Sequence, residues 1–294
     1  MDLPSLSVEE FTIAEINLRA GEDLKASQFM EKTRHICIGY FSTPWEECEP
    51  KLKELFLSWH QLRSFECDSY RVSLSAWLNL LRQSEMVQYL ERCHLTIANA
   101  GSGPLVGVCM PNLRCLGLKL LHVQPDIVIP LITVPNITTL EISFFNDWES
   151  SDAYDVIKRH YNLRQLHQIR FRGAGFPLRI AQVLADAPMI HTLSLQCEPI
   201  LDTEAREGIA SGRLGRCLTT LYMNTGLRAA EWLDMIETRQ RNVKSMVTQV
   251  SNWREMLTGI KSVEIWDSPS GCVDWDYKER AAALKALGTI VKFV

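Results

Sequence analysis

A short pattern of apolar and polar positions recurs along the chain. Leu113-Arg114-Cys115-Leu116-Gly117-Leu118 and Ile137-Thr138-Thr139-Leu140-Glu141-Ile142 share the form L-x-x-L-x-L. Each follows a Pro-Asn pair, Pro111-Asn112 and Pro135-Asn136, and the two phrases start 24 residues apart. Apolar residues two apart at the end of each phrase predict a short strand with one face buried. With substitutions the phrase returns at Leu3-Leu6-Val8, Thr33-Ile36-Ile38, Leu62-Phe65-Cys67, Leu166-Ile169-Phe171, Ile190-Leu193-Leu195, Leu218-Leu221-Met223 and Ile260-Val263-Ile265. A further copy at Val87-Leu90 has a degraded third position. Successive starts are 24 to 30 residues apart until a last step of 42, which predicts one more degenerate unit near Val243 to Val247.

The connectors carry helical spacing instead. Residues 73–81 place Leu74, Trp77, Leu78 and Leu81 on one face, with Ser73 as N-cap. Helices are also predicted over 151–161, 178–185, 202–210, 227–236 and 280–287, a short helix or turn over 124–134, and a last strand over 289–294. A strand, a connector and a strand again at a step of 20–29 residues is the period of a leucine-rich repeat. The predicted fold class is therefore α/β: one irregular leucine-rich-repeat solenoid of about ten units over residues 1–294. Right-handed crossovers place a curved parallel sheet on the concave side and helices on the convex side. Residues 99–107 and 267–276 read as long loops at repeat edges.

Composition narrows the partner classes. Lys and Arg number 31 against 35 Asp and Glu, a net charge of −4, too mild to call for nucleic acid or a membrane surface. The nine cysteines are odd in number and scattered, and Met1-Asp2-Leu3-Pro4-Ser5 has no secretory pattern. A reducing compartment, cytoplasmic or nuclear, is the expectation, with the protein a monomer.

Candidate chemistry is sparse. Gly101-Ser102-Gly103-Pro104-Leu105-Val106-Gly107 resembles a phosphate loop but leaves no room for the following helix before Pro111, so it reads as a plain loop. No C-x-x-C or H-x-x-x-H spacing occurs, so the cysteines read as small core hydrophobes and no metal or other cofactor is expected. The histidines, dispersed along the chain, read as surface or core residues, and no nucleophile motif is present. Catalysis is not expected.

Strand geometry is more informative. Positions between the apolar ones project onto the concave face. They include Glu141, Gln168, Arg170, Arg172, Ser194, Gln196, Tyr222, Glu264 and Trp266, the candidate protein-binding residues. Arg suits carboxylate or phosphate recognition, and Tyr and Trp are frequent anchors of interfaces. Of the eight tryptophans, Trp45, Trp59, Trp77, Trp148, Trp232 and Trp253 read as core, whereas Trp266 and Trp275 flank the acidic loop 267–276 as exposed aromatics.

Phrases such as Met110-Pro111-Asn112-Leu113-Arg114-Cys115-Leu116-Gly117-Leu118, Val134-Pro135-Asn136-Ile137-Thr138-Thr139-Leu140-Glu141-Ile142 and Leu218-Thr219-Thr220-Leu221-Tyr222 resemble the irregular repeat region of fungal F-box/leucine-rich-repeat proteins. That resemblance implies a non-catalytic module whose repeats hold the substrate of a cullin ubiquitin ligase. Met1 to Leu6 already lies in a repeat-like phrase, so no F-box is read here; ligase components would attach through a segment not in this chain. The asparagine that ladders through regular repeats of the family is mostly missing after the strand phrase, which predicts irregular turns. The alternative is a repeat scaffold unrelated to ubiquitin, such as a regulator of a small GTPase or a signalling complex.

Overall fold

The computed structural model describes residues 35–38, 62–67, 73–83, 85–144, 153–173, 178–196, 199–224, 229–247, 257–266 and 275–293. The phrase Leu3-Leu6-Val8, residues 267–274 of the acidic loop, and Trp45, Trp59, Trp148 and Trp253 lie outside them, as do the side chains of Trp266 and Trp275. The architecture is mixed α/β, built on parallel strands and helices, in two compact units, Met1–Ile137 and Thr138–Val294.

In the first unit, β1 (His35–Ile38), β2 (Ser64–Cys67), β3 (Arg92–Ile97) and β5 (Cys115–Leu120) pair in that order, all parallel. β4 (Val108–Cys109) pairs with β6 (Ile132–Thr133) as a small separate ladder. The register aligns Ile36, Phe65, Cys93 and Leu116 across the sheet. Phe65, Cys93 and Leu116 are 0% exposed. Helix α1 (Leu74–Gln83) buries Leu74, Trp77, Leu78 and Leu81, the face its spacing predicts. Ser73 caps it, its hydroxyl accepting from the Ala76 amide at 3.3 Å. Between β5 and β6, residues 124–131 form a single helical turn, α2 (Pro125–Val128), continued by a tighter turn over Ile129–Leu131.

The second unit holds the larger sheet. β7 (Thr139–Phe144), β8 (Gln168–Arg172), β10 (Thr192–Gln196), β12 (Thr220–Asn224), β13 (Ser262–Trp266) and β14 (Ile290–Phe293) pair in that order, again all parallel. β9 (Leu178–Arg179) and β11 (Pro199–Ile200) form a side ladder. Leu140, Ile169, Leu193, Leu221 and Val263 share one register row and are each 0% exposed. Burying apolar surface stabilises by about 25 cal/mol per Å², so each strand contributes through its apolar alternates.

Both sheets begin each strand the same way. The carbonyl just before a strand accepts from two successive amides of the next one: Arg63 from Glu91 and Arg92, Glu91 from Arg114 and Cys115. In the second unit Thr138, His167, His191 and Thr219 each receive the same pair of bonds from the strand that follows. This ladder gives the amides at each of these strand entries a backbone partner.

The remaining helices are α3 (Ala153–His160), α4 (Ile180–Asp186), α5 (Thr203–Ser211), α6 (Ala229–Val247) and α7 (Trp275–Ala286). Asp202 caps α5, accepting from the Ala205 amide at 2.8 Å, and Gly212 ends it in the left-handed region at φ 79°.

Two sequence expectations are corrected. The 42-residue step holds no additional strand at 243–247: β12 pairs directly with β13, and those residues are the last turns of α6, far longer than the predicted 227–236. The degraded phrase at Val87 is out of frame, because the register pairs Cys93 with Leu116 and Leu95 with Leu118. The true phrase is Leu90-Cys93-Leu95, with exposures of 0%, 0% and 2%. Cysteine occupies an apolar position there, which hides the frame from a search for aliphatic residues.

Candidate functional site

The polar alternates of the second unit stand in rows across the sheet. One row runs Glu141, Arg170, Ser194, Tyr222, Glu264 and Lys292; the next runs Ser143, Arg172, Gln196, Asn224 and Trp266. Gln168 belongs to a third row with Thr139, Thr192, Thr220 and Ser262. Strands are spaced about 4.8 Å apart, so in-register side chains on one face are direct neighbours. All nine candidate residues therefore lie on strands of the same sheet.

They are not equally available. Arg170 donates from Nη1 to Glu141, 3.2 Å from Oε1 and 3.3 Å from Oε2, and both side chains are half-buried. Its Nε is buried with no hydrogen-bond partner among the described residues. Ser194, next in the row, is 2% exposed and has no surface to offer. Gln168, Gln196, Tyr222 and Glu264 are half-exposed, and Arg172 is exposed at the end of β8. Gly173 follows it at φ 138°, where a Cβ would sit 2.3 Å from the Phe144 carbonyl oxygen. Only glycine fits that turn, which ends β8 and leaves Arg172 at the sheet's margin.

Strand entry adds a pair that sequence reasoning treated as isolated residues. His167 and His191 meet edge to face, ring centroids 5.3 Å apart, and His191 Nδ1 lies 3.1 Å from the Cys217 carbonyl. Both rings are exposed.

On the first unit's sheet the corresponding positions are Glu66 beside His94 beside Gly117, and Arg92 beside Cys115. Cys115 Sγ lies 3.6 Å from His94 Nε2. Arg92 and His94 escape a sequence reading because the phrase is framed on Val87; admitting Cys as an apolar letter would have found them. Of the other cysteines described, Cys67 and Cys93 are buried as expected of core thiols, Cys217 is half-buried and Cys109 is exposed. Burial pushes the Cys93 thiol up, out of the reactive range.

The segment leading into the glycine loop is bonded to the start of α1. Asn99 and Ala100 direct their carbonyls at the start of α1, accepting from the amides of Leu74 at 2.8 Å and Ser75 at 3.1 Å. Among the described residues no cluster of three or more His, Cys, Asp or Glu could hold a metal ion. No helix among them is long and apolar enough to cross a membrane. Trp77 and Trp232 are 0% and 1% exposed, in the core.

No protein-family model matches the chain. A search of curated proteins likewise finds no match.

Proposed function

We propose that the chain is an irregular leucine-rich-repeat solenoid whose polar sheet face binds another protein without catalysis. The reading rests first on the period. In-register core residues recur at intervals of 28 and 23 residues (Phe65, Cys93, Leu116), then 29, 24 and 28 (Leu140, Ile169, Leu193, Leu221), close to the repeat length. The Pro-Asn pairs support it too. Asn112 donates its side-chain amide to the Gln88 carbonyl 24 residues back, and Asn136 does the same to Pro111, 25 residues back, at 2.7 Å. The conventional ladder asparagine is replaced by one at the start of the phrase.

The observation that carries the binding role is the Arg172 row. An exposed guanidinium stands beside Ser143 and Gln196, at the margin of a face whose neighbouring row is pre-organised by the Glu141–Arg170 ion pair. A fork of donors flanked by neutral polar groups fits a carboxylate or phosphate on a partner protein. The resemblance to F-box repeat regions makes the substrate of a cullin ubiquitin ligase the favoured partner, with the ligase attached through a segment not in this chain.

Affinity capture with the native chain and with Arg172→Glu tests this. A protein retained by the first and lost from the second supports the reading, and co-recovery of a Skp-type adaptor with the full gene product supports the ligase assignment. Identical captured sets from both chains would remove this face from the site.

A further inference from the structure

The polar face of the first unit carries a pairing that protein binding does not use. β3 and β5 run in register with Arg92 opposite Cys115 and His94 opposite Gly117. A Cβ added at Gly117 would lie 2.2 Å from His94 Nδ1 and 2.8 Å from its Cγ and Cε1. The imidazole thus fills the space that any other residue at 117 would occupy. Leaning over β5 in this way, it brings Nε2 to 3.6 Å from Cys115 Sγ.

Charged residues stand at the neighbouring register positions. Arg92 is the in-register neighbour of Cys115 and Lys119 lies further along the same strand, whereas Glu66 faces His94 from β2. Cys115 is half-buried and reachable from the face, while Cys67 and Cys93 lie on the covered side at 1% and 0% exposure.

We propose that Cys115 and His94 form a nucleophilic thiol–imidazole pair, a modification site for small α,β-unsaturated carbonyl compounds. His94 Nε2 takes the proton from Sγ. The sulfur lone pair forms a bond to the β-carbon as the carbon–carbon π pair shifts toward the carbonyl. The imidazolium returns its proton to the α-carbon, so nothing leaves and no oxidant is required. Gly117 is the positioning residue: it holds no reacting atom but permits the ring's placement.

N-ethylmaleimide, a member of this class, is the probe. The full-length chain is treated with less than one equivalent at pH 7, and modification of each cysteine is followed by peptide mass mapping. Cys115 is expected to react at least about tenfold faster than the exposed Cys109, within the range of acid–base assistance. His94→Gln should bring Cys115 to the Cys109 rate or below while leaving Cys109 unchanged. Gly117→Ala, which displaces the ring but keeps both reactive groups, should lower the Cys115 rate at least about fivefold by the same reasoning. If circular dichroism shows His94→Gln to be misfolded, the Cys115-to-Cys109 ratio in the native chain and the Gly117→Ala rate decide. A native Cys115 no faster than Cys109, or a Cys115 rate untouched by the folded variants, overturns the proposal. The outcome is independent of whether the second unit's face binds a protein.

Discussion

Gln240 pairs with both backbone groups of Ile260: its Oε1 accepts from the Ile260 amide at 3.0 Å, and its Nε2 donates to the Ile260 carbonyl at 3.0 Å. Nε2 also donates to the Thr289 hydroxyl, which in turn donates to the same carbonyl at 2.7 Å. One side chain on α6 thereby fixes the entries to β13 and β14. Gln240 is 5% exposed and Thr289 0%, so these bonds have no competing water. Gln240→Leu should leave the buried Ile260 amide unpaired, while Thr289 keeps its bond to the carbonyl, and cost about 1–3 kcal/mol. A urea midpoint within error of the native one would show that the pairing contributes nothing.

Its neighbour Arg239 is a buried cation with backbone partners. The guanidinium donates to the carbonyls of Ile209 at 2.9 Å, Gly215 at 2.8 Å and Thr258 at 2.7 Å, with longer bonds to Arg216 and Leu218. Five carbonyls converge because the chain ends α5, turns twice and re-enters the sheet around this one side chain. Lysine has the charge without the fork. Arg239→Lys is therefore expected to cost about 2–4 kcal/mol through orphaned carbonyls. Equal stability of the two chains in urea would refute this role.

Alkaline lability follows from three buried acids. Burial raises the Cys93 thiol above its ordinary 9.0, and the Tyr154 and Tyr161 phenols above 10.0, with Asp186 adding to the effect on Tyr154. The folded chain keeps these protons where the unfolded chain releases them. Their contribution is whole below about pH 9 and is lost as pH rises beyond it. Arg239, pushed down to about 10 by burial, acts in the opposite sense above that pH, one group against three. The Tyr161 hydroxyl is buried with no hydrogen-bond partner among the described residues. Tyr161→Phe should therefore keep or raise stability at pH 7, by up to about 1 kcal/mol, and move the alkaline unfolding midpoint upward. A downward shift would contradict the burial argument.

The two arginines of β8 should separate stability from binding. Arg172→Glu changes an exposed residue and is expected to shift stability by less than about 0.5 kcal/mol while abolishing capture of the partner. Arg170→Ala strands Glu141 and should lower stability as well as capture. Thermal melts alongside capture assays distinguish them; a destabilised Arg172→Glu would tie that residue to the fold instead.

Core truncation should be felt beyond its own strand. Leu193 is 0% exposed and lies between Ile169 and Leu221 in the register row. Leu193→Ala is expected to cost about 2–5 kcal/mol. Amide exchange should accelerate in β8 and β12 as well as β10; exchange confined to β10 would argue against shared interfaces.

Much of this was legible in the sequence because it is local. Apolar alternation set which residues of β5, β7, β8, β10, β12 and β13 face inward, and the cap Ser73 marked its helix. What remained hidden depends on which segments meet across tens of residues. The 42-residue step could have held another strand; only packing shows it taken up by α6. Cys93 is apolar in the sheet though it is not an aliphatic letter, and correcting its frame is what places His94 over Gly117 and against Cys115. Arg239 and Gln240 bind backbone carbonyls and amides that every residue carries, so no side-chain pattern announces their partners. Alternation fixes a side chain's face through its own backbone, whereas register, burial and proximity are fixed by segments the local sequence does not contain.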